Sequence, residues 1–224
     1  MKKIASLLAA SAALALVFTT ADAASGLNVG VGFANTNLKA MSVSDETYMG
    51  TRYHYSDENT INALSIGPTL KYQASVYDFG NDIGKIDVGL YGGYFFPMTG
   101  KKDLGWGDAL TLGNQAELGV DLLWNSQVFG LPYYGGVRFG WNSLALSESY
   151  TSDVYTSRHI QHASGFSIGP VIGIPITESW TVEVSGSFKN VQFSHDSGTA
   201  PDDTWSYTKS AHGPAIVLAV FYKT

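Results

Sequence analysis

Between Ala109 and Ser143 the apolar residues recur at every second position. Leu110, Leu112, Ala116, Leu118, Val120, Leu122 and Trp124 form one face, and Thr111, Gly113, Gln115, Glu117, Gly119 and Asp121 form the other. The pattern resumes with Tyr133, Val137, Phe139 and Trp141 on one side and Tyr134, Gly136, Arg138, Gly140 and Asn142 on the other. A period of two is that of a strand, so this stretch predicts a long β-hairpin turning within residues 125–130. A turn symmetric about those residues places Glu117 opposite Arg138 on the polar face.

The same alternation runs through the rest of the chain. It appears around Leu27–Phe33, Leu64–Tyr72, Ile86–Tyr94, Phe166–Ile176, Trp180–Phe188 and Pro214–Tyr222, which with the hairpin makes eight strands of about ten residues. The charged residues within these windows are Lys71, Lys85, Asp87, Glu117, Asp121, Arg138, Glu183, Lys189 and Lys223, and all fall on the face opposite the apolar one. A lysine or arginine turned toward lipid at mid-depth costs about 2–4 kcal/mol, so this segregation predicts apolar side chains toward lipid and charges toward an axis. The connections alternate as well. Short ones, at residues 78–84, 125–130 and 177–179, exchange with longer polar ones at 35–60, 97–108, 143–162 and 194–212. Short periplasmic turns and long external loops have that order. The expectation is an all-β, eight-stranded antiparallel up-and-down transmembrane β-barrel with both chain ends on the periplasmic side.

Composition narrows the setting. Lys2 and Lys3, the apolar run from Ile4 to Phe18 and Ala21-Asp22-Ala23 form a secretory signal, which predicts cleavage after residue 23 and a barrel domain over 24–224. Removing Lys2, Lys3 and Asp22 from the 13 basic and 19 acidic residues leaves 11 and 18, a net charge of −7, which argues against nucleic acid as a partner. The chain has no cysteine, hence neither disulfides nor a lipoprotein anchor. The expected surroundings are outer-membrane lipid and lipopolysaccharide, with the protein a monomer in the cell outer membrane.

In its alternation, its order of loops and its inward Glu117 and Arg138, the whole mature chain resembles the small outer-membrane barrel family typified by the OmpA transmembrane domain and OmpX. Members of that family usually end on an aromatic residue; here Phe221-Tyr222 is followed by Lys223-Thr224. The resemblance implies an integral membrane protein of the cell surface, porin-like in shape.

An eight-stranded barrel has room inside for side chains and little else. Lys71, Asp87, Glu117, Asp121, Arg138, Glu183 and Lys189 are therefore expected to form a charge-paired interior plug, since buried charges require partners. The external loops carry aromatic and histidine residues of the kind that binding surfaces use: Tyr53, Tyr55, Tyr150, Tyr155, His159, His162, His195, Trp205 and Tyr207. His159, His162, His195 and His212 with Asp196 could gather at the rim, but their spacing is not that of a metal site, and neither a metal nor a cofactor is expected. The function predicted is structural and surface-interacting, without catalysis. A narrow channel for ions or small solutes is the transport alternative. A lipid A-modifying hydrolase is the enzymatic one, because His162-Ala163-Ser164 resembles the His-x-Ser element of lipid A deacylase barrels, although the next glutamate, Glu178, belongs to a turn predicted at the opposite end. A soluble lipocalin-like barrel would require the apolar faces to lie inside.

Overall fold

The computed structural model describes residues 26–80, 84–105, 108–128, 131–151, 156–193, 196–200 and 203–224; the expected signal segment lies outside them. The strands are β1 (Gly26–Tyr48), β2 (Thr51–Asp78), β3 (Lys85–Pro97), β4 (Lys101–Gly105), β5 (Asp108–Val128), β6 (Leu131–Thr151), β7 (Thr156–Pro175), β8 (Trp180–Phe193), β9 (Asp196–Ala200) and β10 (Asp203–Lys223). Eight of them form an antiparallel ring in the order β1-β2-β3-β5-β6-β7-β8-β10, closed by β10 on β1 with Gly32 opposite Ala219. β4 and β9 are short flaps on β5 and β10. Closure removes every sheet edge over the middle of the barrel, so the backbone there bonds to itself.

The ring is wrapped with its greasy side outward. Val31, Phe33, Leu118, Phe139, Ile168 and Leu218 are exposed, while Lys71, Asp121, Arg138, Glu183 and Lys189 are buried. Aromatic pairs bound this belt. Trp180 packs on Tyr222 (5.0 Å between ring centres) at the end of the short turns, and Tyr94 on Phe96 (5.0 Å) and Trp141 on Phe166 (4.6 Å) at the other. An apolar outer wall between aromatic girdles, around a charged interior, is the wall of a transmembrane β-barrel.

Four expectations are corrected. Arg138 lies opposite Asp121, and Glu117 lies opposite Asn142. The hairpin is tighter than expected, because β5 and β6 stay paired as far as Val128 and Leu131. Leu110 and Leu112 do not share the lipid-facing side with Leu118. A register shift between Leu112 and Gln115 turns the strand over, and both leucines are buried inside. Finally, the segments expected as long loops are mostly strand. β1 and β2 remain paired up to Tyr48 and Thr51, and β6 and β7 up to Thr151 and Thr156. The tip between β1 and β2 turns on Met49 and Gly50, both at positive φ.

Candidate functional site

The charged interior is built on β2, β5, β6 and β8. Asp121 takes two hydrogen bonds from the Arg138 guanidinium, Nε at 2.7 Å and Nη2 at 2.8 Å, and Nη2 also reaches Glu183 Oε1 at 2.8 Å. Glu183 Oε2 accepts from Lys71 Nζ at 2.5 Å and from the Tyr134 hydroxyl at 2.7 Å. Lys71 Nζ is also 3.3 Å from Asp121. Two cations therefore meet two anions with every strong donor matched, which is the condition under which buried charge is tolerated. Aromatic rings seal the group: the guanidinium stacks on Tyr91, 3.5 Å from the ring centre, and the ammonium sits 4.3 Å from that of Tyr134. Asp87 lies nearer the turns, held by Gln73 at 2.5 Å and Ser75 at 2.7 Å. Between Tyr134 and the turn-side mouth is a polar recess of about 190 Å³ lined by Asn28, Gln73, Asn125 and Lys223 among others.

Glu117 and Lys189 make a separate pair at 3.4 Å, farther along the axis. Beside them run the hydrogen bonds Thr36 to Gln115 and Asn142 to Ser167. Above these the interior changes character. Leu38, Ile61, Leu110, Leu112, Leu144, Leu146, Val191 and Phe193 pack with four alanines into an apolar core on the axis. Over this height the outward residues are polar, among them Asn62, Ser143, Asn190 and Gln192. The barrel thus leaves its lipid-facing belt and continues as a water-facing barrel with the hydrophobic pattern inverted. That core was not anticipated from the sequence. Its trace there is a phase change in the alternation, from Val31 and Phe33 to Ala34, Leu38 and Ala40, and from Ile61 and Ala63 to Leu64 and Ile66.

Beyond the core the ring divides. The pairing of β2 with β3 stops at Ser65 and Pro97, and that of β7 with β8 at Ala163 and Phe193. Among the described residues no ladder joins β2 to β4 or β7 to β9. Two sheets remain, β2-β1-β10-β9 and β4-β5-β6-β7, facing each other across a cleft whose floor is the apolar core. Lys209 of β10 and Glu148 of β6 reach across it as an ion pair.

Register places the aromatic candidates with respect to this cleft. Tyr53, Tyr55 and Tyr207 lie on the inner side of the first sheet, in line with buried Ile61 and Ala211. The Tyr53 and Tyr55 rings are parallel within 6°, with centres 6.4 Å apart, and both are exposed. Tyr207 is half-buried, and burial raises its phenol above the usual range. His159 is on the facing wall, next to Glu148 in the β6–β7 ladder. Tyr150 and Trp205 occupy strand positions opposite Asp108 and Glu46. Tyr155 and His195 lie outside the described residues. The rim histidines are not brought together: His162 is on the outer face of β7 and His212 packs against Phe188, 6.2 Å between ring centres. Among the described residues no three potential ligands are close enough to share a metal ion.

No protein-family model and no curated protein matches the chain. Solved structures with a similar course of strands include Ail, the attachment invasion locus protein of Yersinia pestis, at 8% identity over 89% of this chain and 99% of that one, with a TM-score of 0.39. Neisserial surface protein A matches at 8% identity over 89% and 97%, with a TM-score of 0.38. The outer membrane protease OmpT from Escherichia coli matches at 9% over 89% and 97%, with a TM-score of 0.34. Likeness at this level speaks to neither ligand nor activity.

Proposed function

We propose that the protein is an integral outer-membrane barrel that anchors a surface-displayed binding element and neither conducts nor catalyses. The observation that carries this reading is the filling of the axis. The Arg138–Asp121–Glu183–Lys71 group occupies one level and the apolar core around Leu112 and Phe193 the next, while the walls continue past the belt as two opposed sheets. A filled axis disfavours a diffusion path, and long paired strands beyond the belt supply a rigid surface. The short connections, the start of β1 and the end of β10 lie on the periplasmic side, the cleft faces outward, and the belt contacts lipid and, in the outer leaflet, lipopolysaccharide. Within the lipid-facing belt the ring is closed and has no edge to offer a second copy, which suits a monomer. Against a hydrolase, His162 and Ser164 are both exposed on the outer wall of β7, and Glu178 sits in the β7–β8 turn at the far end of the barrel.

Conductance tests the first half of this reading. Purified protein in planar bilayers is expected to give no steady unitary current; steady currents abolished by Arg138→Ala would establish the channel instead. Orientation is tested by single cysteines, since the chain has none of its own. On intact cells a membrane-impermeant maleimide should label Thr51→Cys and leave Thr177→Cys unlabelled.

A further inference from the structure

The two faces of the first sheet are charged differently. On its outer side the acids are matched: Lys39 with Glu58 at 2.7 Å, and Arg52 and His54 with Asp45 at 3.2 Å and 2.9 Å. On the cleft side Glu46 and Asp57 continue the inward rows of Tyr53 and Tyr55, and Asp108 continues that of Leu110 from the facing wall. None of these three carboxylates has an ion-pair partner among the described residues. Apart from Lys2 and Lys3, every lysine and arginine of the chain is described, so no further cation of its own is in reserve. Lys209 is taken up by Glu148, Lys102 bonds to Asn59, and Arg158 covers Ser147 on the outer face. Asp57 accepts a hydrogen bond from Asn59 at 2.7 Å and lies in the field of the Lys209 ammonium, so the cleft is an aromatic wall set among acids that outnumber the cations facing them.

From that charge, we infer that the cleft takes an extended lysine- or arginine-rich segment of another protein, with its cationic side chains over Tyr53 and Tyr55 and against Glu46, Asp57 and Asp108. The inference rests on the surface-binding reading above and names its ligand class. Aromatic faces attract ammonium and guanidinium groups, and carboxylates beside them add Coulomb attraction. A neutral sugar would use the rings and leave the acids unused. An extended chain also fits the shape of the site. Among the described residues no ladder closes the slots between β2 and β4, which only the hydrogen bond from Lys102 to Asn59 crosses, or between β7 and β9, and the margin of β2 above Leu64 offers backbone groups that no neighbouring strand pairs.

The test uses the full mature barrel in zwitterionic detergent and a fluorescent peptide of alternating alanine and lysine, with its alanine–glutamate counterpart as control. The lysine peptide should bind and the glutamate peptide should not. Tyr53→Ala with Tyr55→Ala, or Asp57→Asn, should weaken binding by about fivefold or more. Tyr55→Phe, which keeps the ring, and Glu58→Gln on the outer face should leave it unchanged. Heat-dependent gel mobility shows that each variant is folded. Equal binding of both peptides, displacement by a neutral oligosaccharide, association of the barrel with its own copies through the cleft, or indifference to the cleft substitutions would overturn the inference. Intact cells separate it from the reading it rests on. Binding to purified protein but not to cells leaves the cleft chemistry standing and refutes its outward orientation, whereas labelling of Thr51→Cys on cells without peptide binding to purified protein refutes the ligand class alone.

Discussion

Arg138 and Asp121 face each other across the β5–β6 ladder and share two short hydrogen bonds, a bidentate pair buried at the narrow centre of the barrel. The guanidinium also holds Glu183, so it ties three strands together through charge. Replacing it with Arg138→Met leaves Asp121 and Glu183 sharing the single charge of Lys71. The expected cost is about 3–5 kcal/mol, read as a lower denaturant midpoint for the heat-modifiable form. Exchanging the two residues, Arg138→Asp with Asp121→Arg, should recover part of that loss.

The bulge between Leu112 and Gln115 makes neighbouring leucines answer differently to substitution. Leu112 is fully buried in the upper core, and Leu112→Ala should destabilise by about 2–5 kcal/mol. Leu118 faces lipid, so Leu118→Ala should be mild, while Leu118→Arg should cost about 2–4 kcal/mol. Equal sensitivity of Leu112 and Leu118 to alanine, measured by unfolding in detergent, would contradict the inward turn of the strand.

Lys209 and Glu148 join the two walls across the cleft, with Lys209 itself buried near the ring of Phe193. Glu148→Gln leaves that ammonium without its carboxylate. The walls should then open more readily, seen as faster proteolysis near the β1–β2 and β6–β7 tips with the gel mobility of the barrel unchanged. Protection equal to that of the unaltered protein would mean that the apolar floor alone holds the walls together.

On the outer face of the first sheet, hydrogen bonds from His54 and then Arg52 hold the Asp45 carboxyl below its ordinary value of 3.8. A depressed carboxylate contributes stability that is present above the unfolded-state value and lost as pH falls through the folded one. Asp45 is exposed, so the effect is confined to the hairpin tip. An NMR titration should place its midpoint below 3.8, and His54→Ala should move it back up.

Much of the barrel can be read from residue order. The segregation of Lys71, Asp121, Arg138, Glu183 and Lys189 from Leu118, Val137 and Ile168 is enough to say which face meets lipid, because charge placed in hydrocarbon is too costly to persist. The aromatic girdle positions Trp124, Trp141, Trp180 and Tyr222 follow from the same alternation. The cleft was legible only as a set of aromatic residues in polar segments. Its two-walled form depends on where the β2–β3 and β7–β8 ladders stop, which no local pattern states.

Alternation by itself determines the side of the sheet on which a residue stands, since successive side chains point to opposite faces. It does not determine partners. Sliding a strand by four residues preserves every face, so Glu117 and Asp121 are equally consistent opposites for Arg138, and only closure of the ring and the tight β5–β6 turn select Asp121. Nor does it disclose a reversal of phase: one bulge sends Leu110 and Leu112 inward, and the height at which the wall leaves lipid decides that the inward positions of Leu38 and Ile61 are apolar and the outward ones beside them polar. Face is a local property of the chain, but register and depth belong to the assembled ring, whose strands must all meet at once.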